Sequence, residues 1–354
     1  MTSSNSPDTA EKRSLCLVLP GLVAVAAVES EANGPPAVLE RLLGRADPIG
    51  EARSDGTEAC LFALFGAEVD HSRDLPVAAV TRVHDMGVVD NSWWMRADPV
   101  HLLPHRDGLL LPERGHLQLS QEEADSLVRE IMAVFAEDGW VLKAPSPERW
   151  YLKPRQIPDI RTTPIGSVVG SDIRGHLPVG PDASQWHTVM NEVQILLHTA
   201  QVNVDRESRG LPTVNSLWFW GGGHLPTFHQ PDWTCLWSNE VVGTSLARLT
   251  ELAVVPRPAS ASQWLAQAPA GKHLLVLDHG MEALLSGHVE RWRDFLDTLE
   301  PDWIAPLESA LRSNELTELL IYTDHCQGFR LTWRHLRRWW RRRVRLENLS
   351  LNPG

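Results

Sequence analysis

Two segments of the chain share one pattern that decides the fold: residues 274–279 read LLVLDH, and residues 319–325 read LLIYTDH. Each is a short apolar run that ends in an Asp-His pair. Runs of this length, rich in Leu, Val and Ile, are typical of strands that are buried on both faces of a sheet. Helical patterns at 239–252, 288–299 and 304–312 alternate with such strands, and the alternation predicts an α/β fold with a mostly parallel sheet flanked by helices.

The pattern changes in the N-terminal half, where a smaller α+β region is inserted. Residues 140–143 and 150–153 flank a proline turn and are typical of a hairpin. The chain therefore divides into six segments: a disordered tail (1–13), the first strand and helices of the core (14–74), an α+β subdomain (75–155), a linker or loop (156–183), the main α/β domain (184–333) and a basic Arg/Trp tail (334–354).

Local signals place further elements. Two strands are expected at 92–96 and 101–103, and a helix is expected at 184–199 with Asp182 as its cap. Ser120 and Glu123 have the spacing of a capping box. The helix that follows Ser120 has an apolar face with a 3.6-residue period, made of Ala124, Leu127, Val128, Ile131, Val134 and Phe135.

Composition excludes several classes of protein. The chain has 354 residues, 43% hydrophobic and 22% charged, which is the balance of a globular protein and not of a collagen, a coiled coil or a disulfide-rich mini-protein. With 33 Lys+Arg against 45 Asp+Glu the net charge is −12, which argues against broad coating of nucleic acid. The 15 Trp against 7 Phe and 2 Tyr favour bulky packing, with a ligand-stacking or sugar-binding surface as the alternative.

The N-terminal apolar run has two interpretations. Lys12-Arg13 precede it, and a signal peptide over 12–28 is one interpretation. Pro20-Gly21 cuts the run in half, which favours a buried first strand at 15–19. No run has the roughly 20 apolar residues of a membrane span. The cysteines are scattered without zinc-ligand spacing, which favours a reducing compartment, the cytoplasm; they are Cys16, Cys60, Cys235 and Cys326.

The two Asp-His pairs are the candidate metal ligands. Asp278-His279 and Asp324-His325 each follow a buried strand, and ligands bind beyond the carboxyl ends of strands in such sheets. Carboxylate and imidazole together suit Mn²⁺ or Zn²⁺, and two pairs would form part of a two-metal phosphoryl-transfer site. The alternative is that these side chains cap helices or bind loop amides. The sequence indicates no other cofactor and assigns no catalytic residue.

A second candidate site is the glycine run Gly221-Gly222-Gly223, which follows the WFW of residues 218–220. Its backbone amides, together with Asn215 and His224, would cradle a phosphate. The run lacks the Lys-Ser/Thr of a P-loop, so a glycine turn beside a tryptophan cluster is the favoured alternative.

The basic tail is the third candidate. Residues 334–345 include seven Arg, and two Trp lie among them. Self-docking on an acidic part of the same domain, or simple solvation of the tail, is favoured, and the alternatives are a partner protein, anionic lipid or nucleic acid. Nucleic acid is the least favoured partner because the whole chain is acidic. The candidate partner-binding residues are Arg337, Arg338, Trp339, Trp340 and Arg341.

Several segments resemble the bacterial RpfE-type regulatory proteins, a phosphoglycerate-mutase-like family. They are 96–102 (RADPVHL), 191–198 (NEVQILLH), 202–212 and 214–223 (VNSLWFWGGG), and the resemblance extends over about 14–340. The glycine-ended segment also looks like the Asn-x-x-Trp-x-Trp-Gly region of archaeal-type cofactor-independent phosphoglycerate mutases, which belong to the alkaline phosphatase superfamily. That resemblance implies an alkaline-phosphatase-like α/β fold, two divalent metals held by Asp and His, and a Ser that becomes phosphorylated.

The match to the superfamily is incomplete at the metal site. Asp324-His325 resembles its Asp-His metal pair, and Asp278 and His288 lie in the region that resembles its Asp-Gly-His segment. The first strand, however, ends in Leu19-Pro20-Gly21 without the superfamily's carboxylate, no Ser matches the nucleophile, and His288 lacks the upstream Asp.

These departures predict a regulatory or binding component that has lost the mutase reaction. Its partner would be an unknown protein or a small phosphorylated ligand. One alternative is an active divalent-metal phosphomutase or phosphohydrolase that uses the two Asp-His pairs. The other is an interaction module that binds protein or nucleic acid through the basic tail.

Overall fold

The computed structural model describes residues 12–22, 37–50, 56–105, 108–112, 117–285, 289–324 and 326–349. These residues form two compact units. The first combines the described residues up to Phe65 with those from Gln230 onward except Leu285, and the second is Gly66–His229 together with Leu285. No helix within these ranges is long and apolar enough to cross a membrane.

The described strands belong to three sheets. They are β1 Arg13–Val18, β2 Asp47–Ile49, β3 Trp94–Val100, β4 Leu103–His105, β5 Gly108–Leu110, β6 Val141–Ser146, β7 Arg149–Lys153, β8 Ser216–Gly223, β9 Cys235–Trp237, β10 Val254–Val255, β11 Gly271–Val276, β12 Leu316–Tyr322 and β13 Gly328–Leu331.

Helices connect and cover the strands. They are α1 Ala37–Arg45, α2 Gly56–Leu64, α3 Val77–Met86, α4 Gln121–Phe135, α5 Ala183–His198, α6 Gln201–Ser208, α7 Val241–Leu249, α8 Ala261–Gln267, α9 His279–Leu285, α10 Val289–Leu299, α11 Ala305–Arg312 and α12 Leu346–Leu349.

A seven-stranded sheet forms the first unit, in the order β10-β9-β11-β1-β12-β13-β2. Neighbouring strands from β10 to β12 are parallel, whereas the β12–β13 and β13–β2 pairs are antiparallel. The predicted α/β fold with a mostly parallel sheet flanked by helices is therefore confirmed.

Strand β1 lies in the middle of this sheet, between β11 and β12. Leu15 and Leu17 contact the core on the side of α1, α8, α10 and α11, and Cys16 has the α2 residue Cys60 among its neighbours on the other side. Burial on both faces explains why the run is apolar without alternation. Residues 13–18 are thus the central strand of a sheet, as the strand interpretation of this segment predicts; residues 23–28 of the alternative signal segment lie outside the described residues.

The second unit contains a four-stranded antiparallel sheet in the order β6-β7-β3-β8, beside the small β4–β5 hairpin. The predicted hairpin is present as β6 and β7. The predicted capping box is also present, because Ser120 Oγ accepts from the Glu123 amide at 3.2 Å and Glu123 accepts from the Ser120 amide at 2.9 Å. On the apolar face of α4 one assignment is wrong: Val134 is 55% exposed.

Strand β3 is longer than expected and runs through Pro99, where two short strands were expected at 92–96 and 101–103. Proline cannot donate to a ladder, so it is excluded where strands pair on both sides. Beyond Arg96 the structure pairs β3 with β8 alone, and Pro99 lies opposite Leu217. The strand therefore tolerates the proline.

The boundary between the units also differs from the expected one. Residues 184–229 were expected in the main α/β domain, but β8 pairs with β3 and brings this stretch into the second unit. The expected linker at 156–183 is an irregular part of the same unit, where Arg161 and Val179 form a bridge. Asp182 does not cap α5; its carboxylate accepts from the amide of Asp159 at 2.8 Å.

Tryptophans fill both units. Trp150 and Trp218 in the second unit and Trp264 in the first are fully buried, as the packing interpretation predicts. Three tryptophans near the end of the chain are exposed instead; they are Trp333, Trp339 and Trp340.

Candidate functional site

The carboxyl edge of the parallel strands brings together the segments that follow β11, β1 and β12. The ladder continues past the strand ends, because the Leu277 amide donates to Val18 at 3.0 Å and the Leu19 amide donates to Tyr322 at 2.9 Å. Asp278 and Asp324 therefore lie at the same edge, one on each side of the end of β1. Their main chains are separated by two strand spacings, roughly 10 Å.

The position between the two aspartates is occupied by the Pro20-Gly21 turn. Gly21 has a φ of +81°, and a Cβ there would overlap the backbone of Gly280 and Met281 at the start of α9. The Gly21 amide donates to Oδ1 of Asp324. The Asp324 side chain thus fixes the turn that follows β1, as the loop-binding alternative for this residue predicts.

Asp278 is neutralised by an arginine from the neighbouring segment. Arg257, which follows β10, forms an ion pair with Oδ1 of Asp278. Only 13% of the Arg257 side chain and 22% of the Asp278 side chain are exposed. The second guanidinium nitrogen of Arg257 lies 2.7 Å from Nε2 of His279. Since a guanidinium only donates, His279 accepts through Nε2 and holds a neutral ring.

The electrostatics of this cluster follow from burial and from the arginine charge. Loss of water around the ring lowers the pKa of His279 below its ordinary value, and the nearby Arg257 charge lowers it further. Burial also lowers the pKa of Arg257. The Asp-His pair that would bind a divalent cation therefore binds a guanidinium of the chain itself.

The described residues do not fit a two-metal centre. Within the described ranges, no group of three or more His, Cys, Asp or Glu side chains is placed to hold one ion. His325 and His288 lie outside the described residues. The remaining ligand candidates are engaged, Asp278 and His279 with Arg257 and Asp324 with Gly21.

The expected glycine loop is part of a strand. Gly221, Gly222 and Gly223 form the end of β8, which pairs with β3. The Gly221 amide donates to Oγ1 of Thr162 at 3.3 Å, and the Gly222 amide donates to the Asp74 carboxylate. These two amides are therefore not available to a phosphate, contrary to the phosphate-loop prediction.

The two polar residues of that predicted loop are engaged as well. Asn215 binds the backbone of Leu102 in both directions, accepting from its amide at 2.7 Å and donating to its carbonyl at 2.8 Å. Nδ1 of His224 lies 2.8 Å from the carbonyl oxygen of Asn91. Both side chains fix neighbouring segments of the second unit.

Arg96 and Asp98, which come from the RADPVHL segment, form a buried ion pair inside the second unit. The Arg96 guanidinium donates to Oδ1 of Asp98 at 2.9 and 2.7 Å. The indole of Trp220 donates to the other carboxylate oxygen at 2.8 Å. The guanidinium carbon also lies 5.3 Å from the ring centroids of both Tyr151 and Trp220. Sequence reasoning missed this pair, although two residues spaced by two in a strand share one face.

Arg257 was also missed. The available signal was local: an arginine between two prolines, directly after a short apolar strand at 254–255. Its partner Asp278 is 21 residues away in sequence, and β9 lies between the strands that precede the two residues, so neither the sequence nor the strand order alone reveals the pairing.

The basic tail is partly docked and partly exposed. Arg338 forms an ion pair with Asp47, and Arg341 donates to the carbonyl of Ala46 at 3.2 Å. Arg337 is exposed, and Trp339 and Trp340 are 79% and 66% exposed. The self-docking interpretation thus holds for Arg338 and for the contact of Arg341 with Ala46, while Arg337, Trp339 and Trp340 face solvent.

Two curated relatives match parts of the chain. A 2,3-bisphosphoglycerate-independent phosphoglycerate mutase of Methanothrix thermoacetophila is 37% identical over 75 residues, which is 20% of this chain and 19% of that protein. The enzyme named phosphoglycerate mutase 2 of the same type, from Methanothermobacter thermautotrophicus, is 28% identical over 115 residues, 32% of this chain and 28% of that protein. Between a fifth and a third of the chain is thus similar in sequence to these phosphoglycerate mutases.

The phosphoglycerate-mutase-like relationship rests on these partial matches, which span less than a third of either relative. No protein-family model matches the chain. A cofactor-independent phosphoglycerate mutase from Thermoplasma acidophilum superimposes over 90% of this chain and 89% of its own, with 16% identity and a TM-score of 0.40. The α/β fold is shown by the sheet order above, and the RpfE-type resemblance stays a prediction.

Proposed function

We propose that the chain is a phosphoglycerate-mutase-like regulatory or binding component without mutase turnover, and that it binds a small phosphorylated ligand. One observation carries the proposal: Arg257 binds Asp278 and His279 at the edge where the superfamily resemblance implies metals. The partial sequence matches to phosphoglycerate mutases support the mutase-like part.

The physical argument is competition for one carboxylate. A divalent ion needs the oxygens of Asp278, and the Arg257 guanidinium already neutralises that charge in a site with little water. Bringing a dication beside a fixed guanidinium adds like-charge repulsion. The turn at Gly21 supplies an amide, not a carboxylate, at the end of β1. A two-metal phosphoryl transfer would lack several of its parts.

The ligand chemistry follows from the same arginine. A guanidinium is the side chain that best matches the oxygens of a phosphate, so a small phosphoester would compete with Asp278 for Arg257. We place the protein in the cytoplasm, which the four buried free thiols favour.

Metal retention and turnover test the proposal together. Purified protein is loaded with Mn²⁺ and Zn²⁺, desalted and analysed by native mass spectrometry, and the interconversion of 3- and 2-phosphoglycerate is assayed with each metal. We expect neither retained metal nor turnover. The Asp278→Ala/Asp324→Ala double variant is the control for non-specific metal.

Two results would overturn the proposal. About one or two ions per chain, lost in the double variant, together with turnover abolished by Asp324→Ala, would establish the active metal enzyme instead. Failure of 3-phosphoglycerate, 2-phosphoglycerate and phosphoenolpyruvate to bind by calorimetry, with equal results for wild type and Arg257→Ala, would reject the ligand part.

A further inference from the structure

An exposed surface of arginine and tryptophan lies at the end of the first unit. We call it the Arg/Trp surface. Exposure is 79% for Trp339, 66% for Trp340 and 42% for Trp333. Large indoles are usually at least half buried, so two adjacent indoles that are mostly exposed, Trp339 and Trp340, are unusual on an otherwise acidic protein. The surface comprises Trp333, Arg334, Arg337, Trp339, Trp340, Arg341, Arg342, Arg343 and Arg345, all of them exposed.

The backbone of this segment is anchored, so its exposed groups are held in place. Asp47 accepts from Arg338 and lies 3.0 Å from Nε2 of His335. The Val344 amide donates to the carbonyl of Glu40 at 3.2 Å. Leu346 then enters the apolar core. His335, Arg338 and Leu346 thus bind the fold, whereas the indoles and most of the other arginines face outward.

The outward arginines have no acidic partner among the described residues. Arg334 and Arg337 lie over the ring of Trp333, at 5.8 and 5.6 Å from its centroid. Arg338 is the tail arginine that forms an ion pair with an acidic side chain in the described ranges. Residues 334–345 contain seven Arg and no Asp or Glu, in a chain with a net charge of −12. The positive charge is therefore concentrated on this surface and is not neutralised by the fold.

The chemistry of the surface fits an anionic lipid headgroup layer. Guanidinium groups bind phosphate oxygens, and tryptophan is enriched at the boundary between headgroups and acyl chains. Indole rings can enter a lipid layer in any orientation relative to one another. The net negative charge of the protein does not prevent the arginines from binding anionic headgroups. Acidic groups farther from the headgroups than the Debye length of about 8 Å are screened at physiological salt.

Ring geometry disfavours single-stranded nucleic acid as the occupant. Successive bases stack on aromatic rings that present open, similarly oriented faces. Trp339 and Trp340 instead pack edge to face, with an interplanar angle of 85° and centroids 6.0 Å apart. The face of Trp333 is already covered by two guanidinium groups.

We propose that the Arg/Trp surface docks the protein on membranes rich in anionic phospholipids. The arginines bind headgroup phosphates and the exposed indoles enter the interfacial layer. Binding is reversible, since each basic residue contributes on the order of 1 kcal/mol. This proposal does not depend on the ligand site at Arg257.

Vesicle sedimentation of the full chain tests the proposal. The probes are vesicles of phosphatidylcholine alone and of phosphatidylcholine with 30% phosphatidylglycerol. We expect binding to the anionic vesicles only, weakened by added salt. Arg342→Gln/Arg343→Gln/Arg345→Gln should lower the affinity on the order of 100-fold at low salt. Trp339→Ala/Trp340→Ala should lower it by about tenfold or more without changing the salt dependence.

Matched control variants separate the surface from general charge and hydrophobicity. Arg73→Gln/Arg174→Gln/Arg312→Gln removes the same charge from exposed arginines elsewhere. Val179→Ala/Ile195→Ala removes exposed apolar groups elsewhere. Both should bind anionic vesicles like wild type. All variants are checked for unchanged circular dichroism and melting temperature, which is expected because the altered side chains are exposed.

Three outcomes contradict the proposal. Absence of binding to the anionic vesicles at low salt rejects the proposal. It is also rejected if the control variants lose as much affinity for anionic vesicles as the variants of the Arg/Trp surface. Tighter binding of a dT20 oligonucleotide than of vesicles at equal phosphate, lost in the tryptophan variant, assigns the surface to nucleic acid instead. A concentration-dependent dimer that the tryptophan variant dissociates assigns it to a second copy of the chain.

Discussion

Arg257 and Asp278 form an ion pair at the carboxyl edge of the parallel sheet, where strand order also places the turn that follows β1. The two residues come from the segments that follow β10 and β11, the strands on either side of β9. A cation supplied by the protein thus sits where sequence alone suggests a cation from solution. The first two predictions concern this edge.

Removing Arg257 should leave a partly buried carboxylate without its counter-charge. We expect Arg257→Met to lower the free energy of unfolding by about 1–3 kcal/mol. Adding Asp278→Asn should recover part of the loss, because the double variant contains neither charge. Urea denaturation of the single and double variants measures the coupling. The control is Arg174→Met, which removes an exposed ion pair and should leave the urea midpoint unchanged. A coupling free energy of zero between Arg257 and Asp278 would argue against the ion pair.

Gly21 should not accept a side chain. In Gly21→Ala the left-handed φ of +81° and the overlap with the start of α9 act together, so we expect a loss of at least about 2–3 kcal/mol. Gly50 is a matched control: its φ is +69°, and a Cβ there meets nothing within 4 Å. Gly50→Ala should cost only about 1 kcal/mol. Equal midpoints for the two variants in urea would show that the contact with α9 is absent.

The buried pair of Arg96 and Asp98 should be needed for the second unit to fold. Asp98→Asn keeps the shape but leaves the guanidinium without its counter-charge, so we expect a loss of about 3–5 kcal/mol. The exposed variant Asp70→Asn is the control and should behave like wild type. Denaturation followed by circular dichroism measures both. A loss below about 1 kcal/mol for Asp98→Asn would mean that the pair is dispensable.

His273 should make the first unit less stable in mild acid. The Trp237 indole can only donate, so Nδ1 of His273 accepts from it at 3.2 Å, and Nε2 carries the proton toward the carbonyl of Pro269 at 2.8 Å. Burial lowers the pKa of this neutral ring below the ordinary 6.5. The unfolded chain therefore binds more protons below about pH 6.5, and stability falls as the pH falls through that range.

The measurement is the melting temperature between pH 8 and pH 5. The slope due to His273 is at most about 1.4 kcal/mol per pH unit. His273→Gln should be less stable at pH 8 and should lose part of the decline toward pH 5. His71→Gln, an exposed histidine, should keep the wild-type profile. An unchanged profile in His273→Gln would place the acid sensitivity elsewhere.

The sequence predicts those parts of the fold that depend on local pattern. Strand β1 is predictable because its residues are apolar without alternation. Helix α4 is predictable because Ser120 and Glu123 have capping-box spacing. The boundary of the second unit is not readable, because it depends on β8 pairing with β3 more than a hundred residues earlier. α6 was missed because its sequence is mostly polar and short.

The candidate site divides in the same way. Strand pattern places Asp278 and Asp324 at one sheet edge, as the structure shows. The partner of each carboxylate is distant in sequence. No sequence signal links Arg257 to Asp278 or Gly21 to Asp324. The glycine run was misassigned because glycine signals a turn by composition, whereas here it lets a strand lie close to neighbouring side chains.

The central position of β1 has a consequence for synthesis of the chain. Its partners β11 and β12 are made about 250 and 300 residues later, which at 5–20 residues per second takes roughly 13–60 s. Residues Gly66–His229, nearly all of the second unit, are synthesised during that interval. Until β11 is made, the apolar segment of β1 has neither of the strands that pair with it in the folded protein. The nascent chain is thus exposed to aggregation at its N-terminal end, and a chaperone that shields this strand would raise the yield of folded protein.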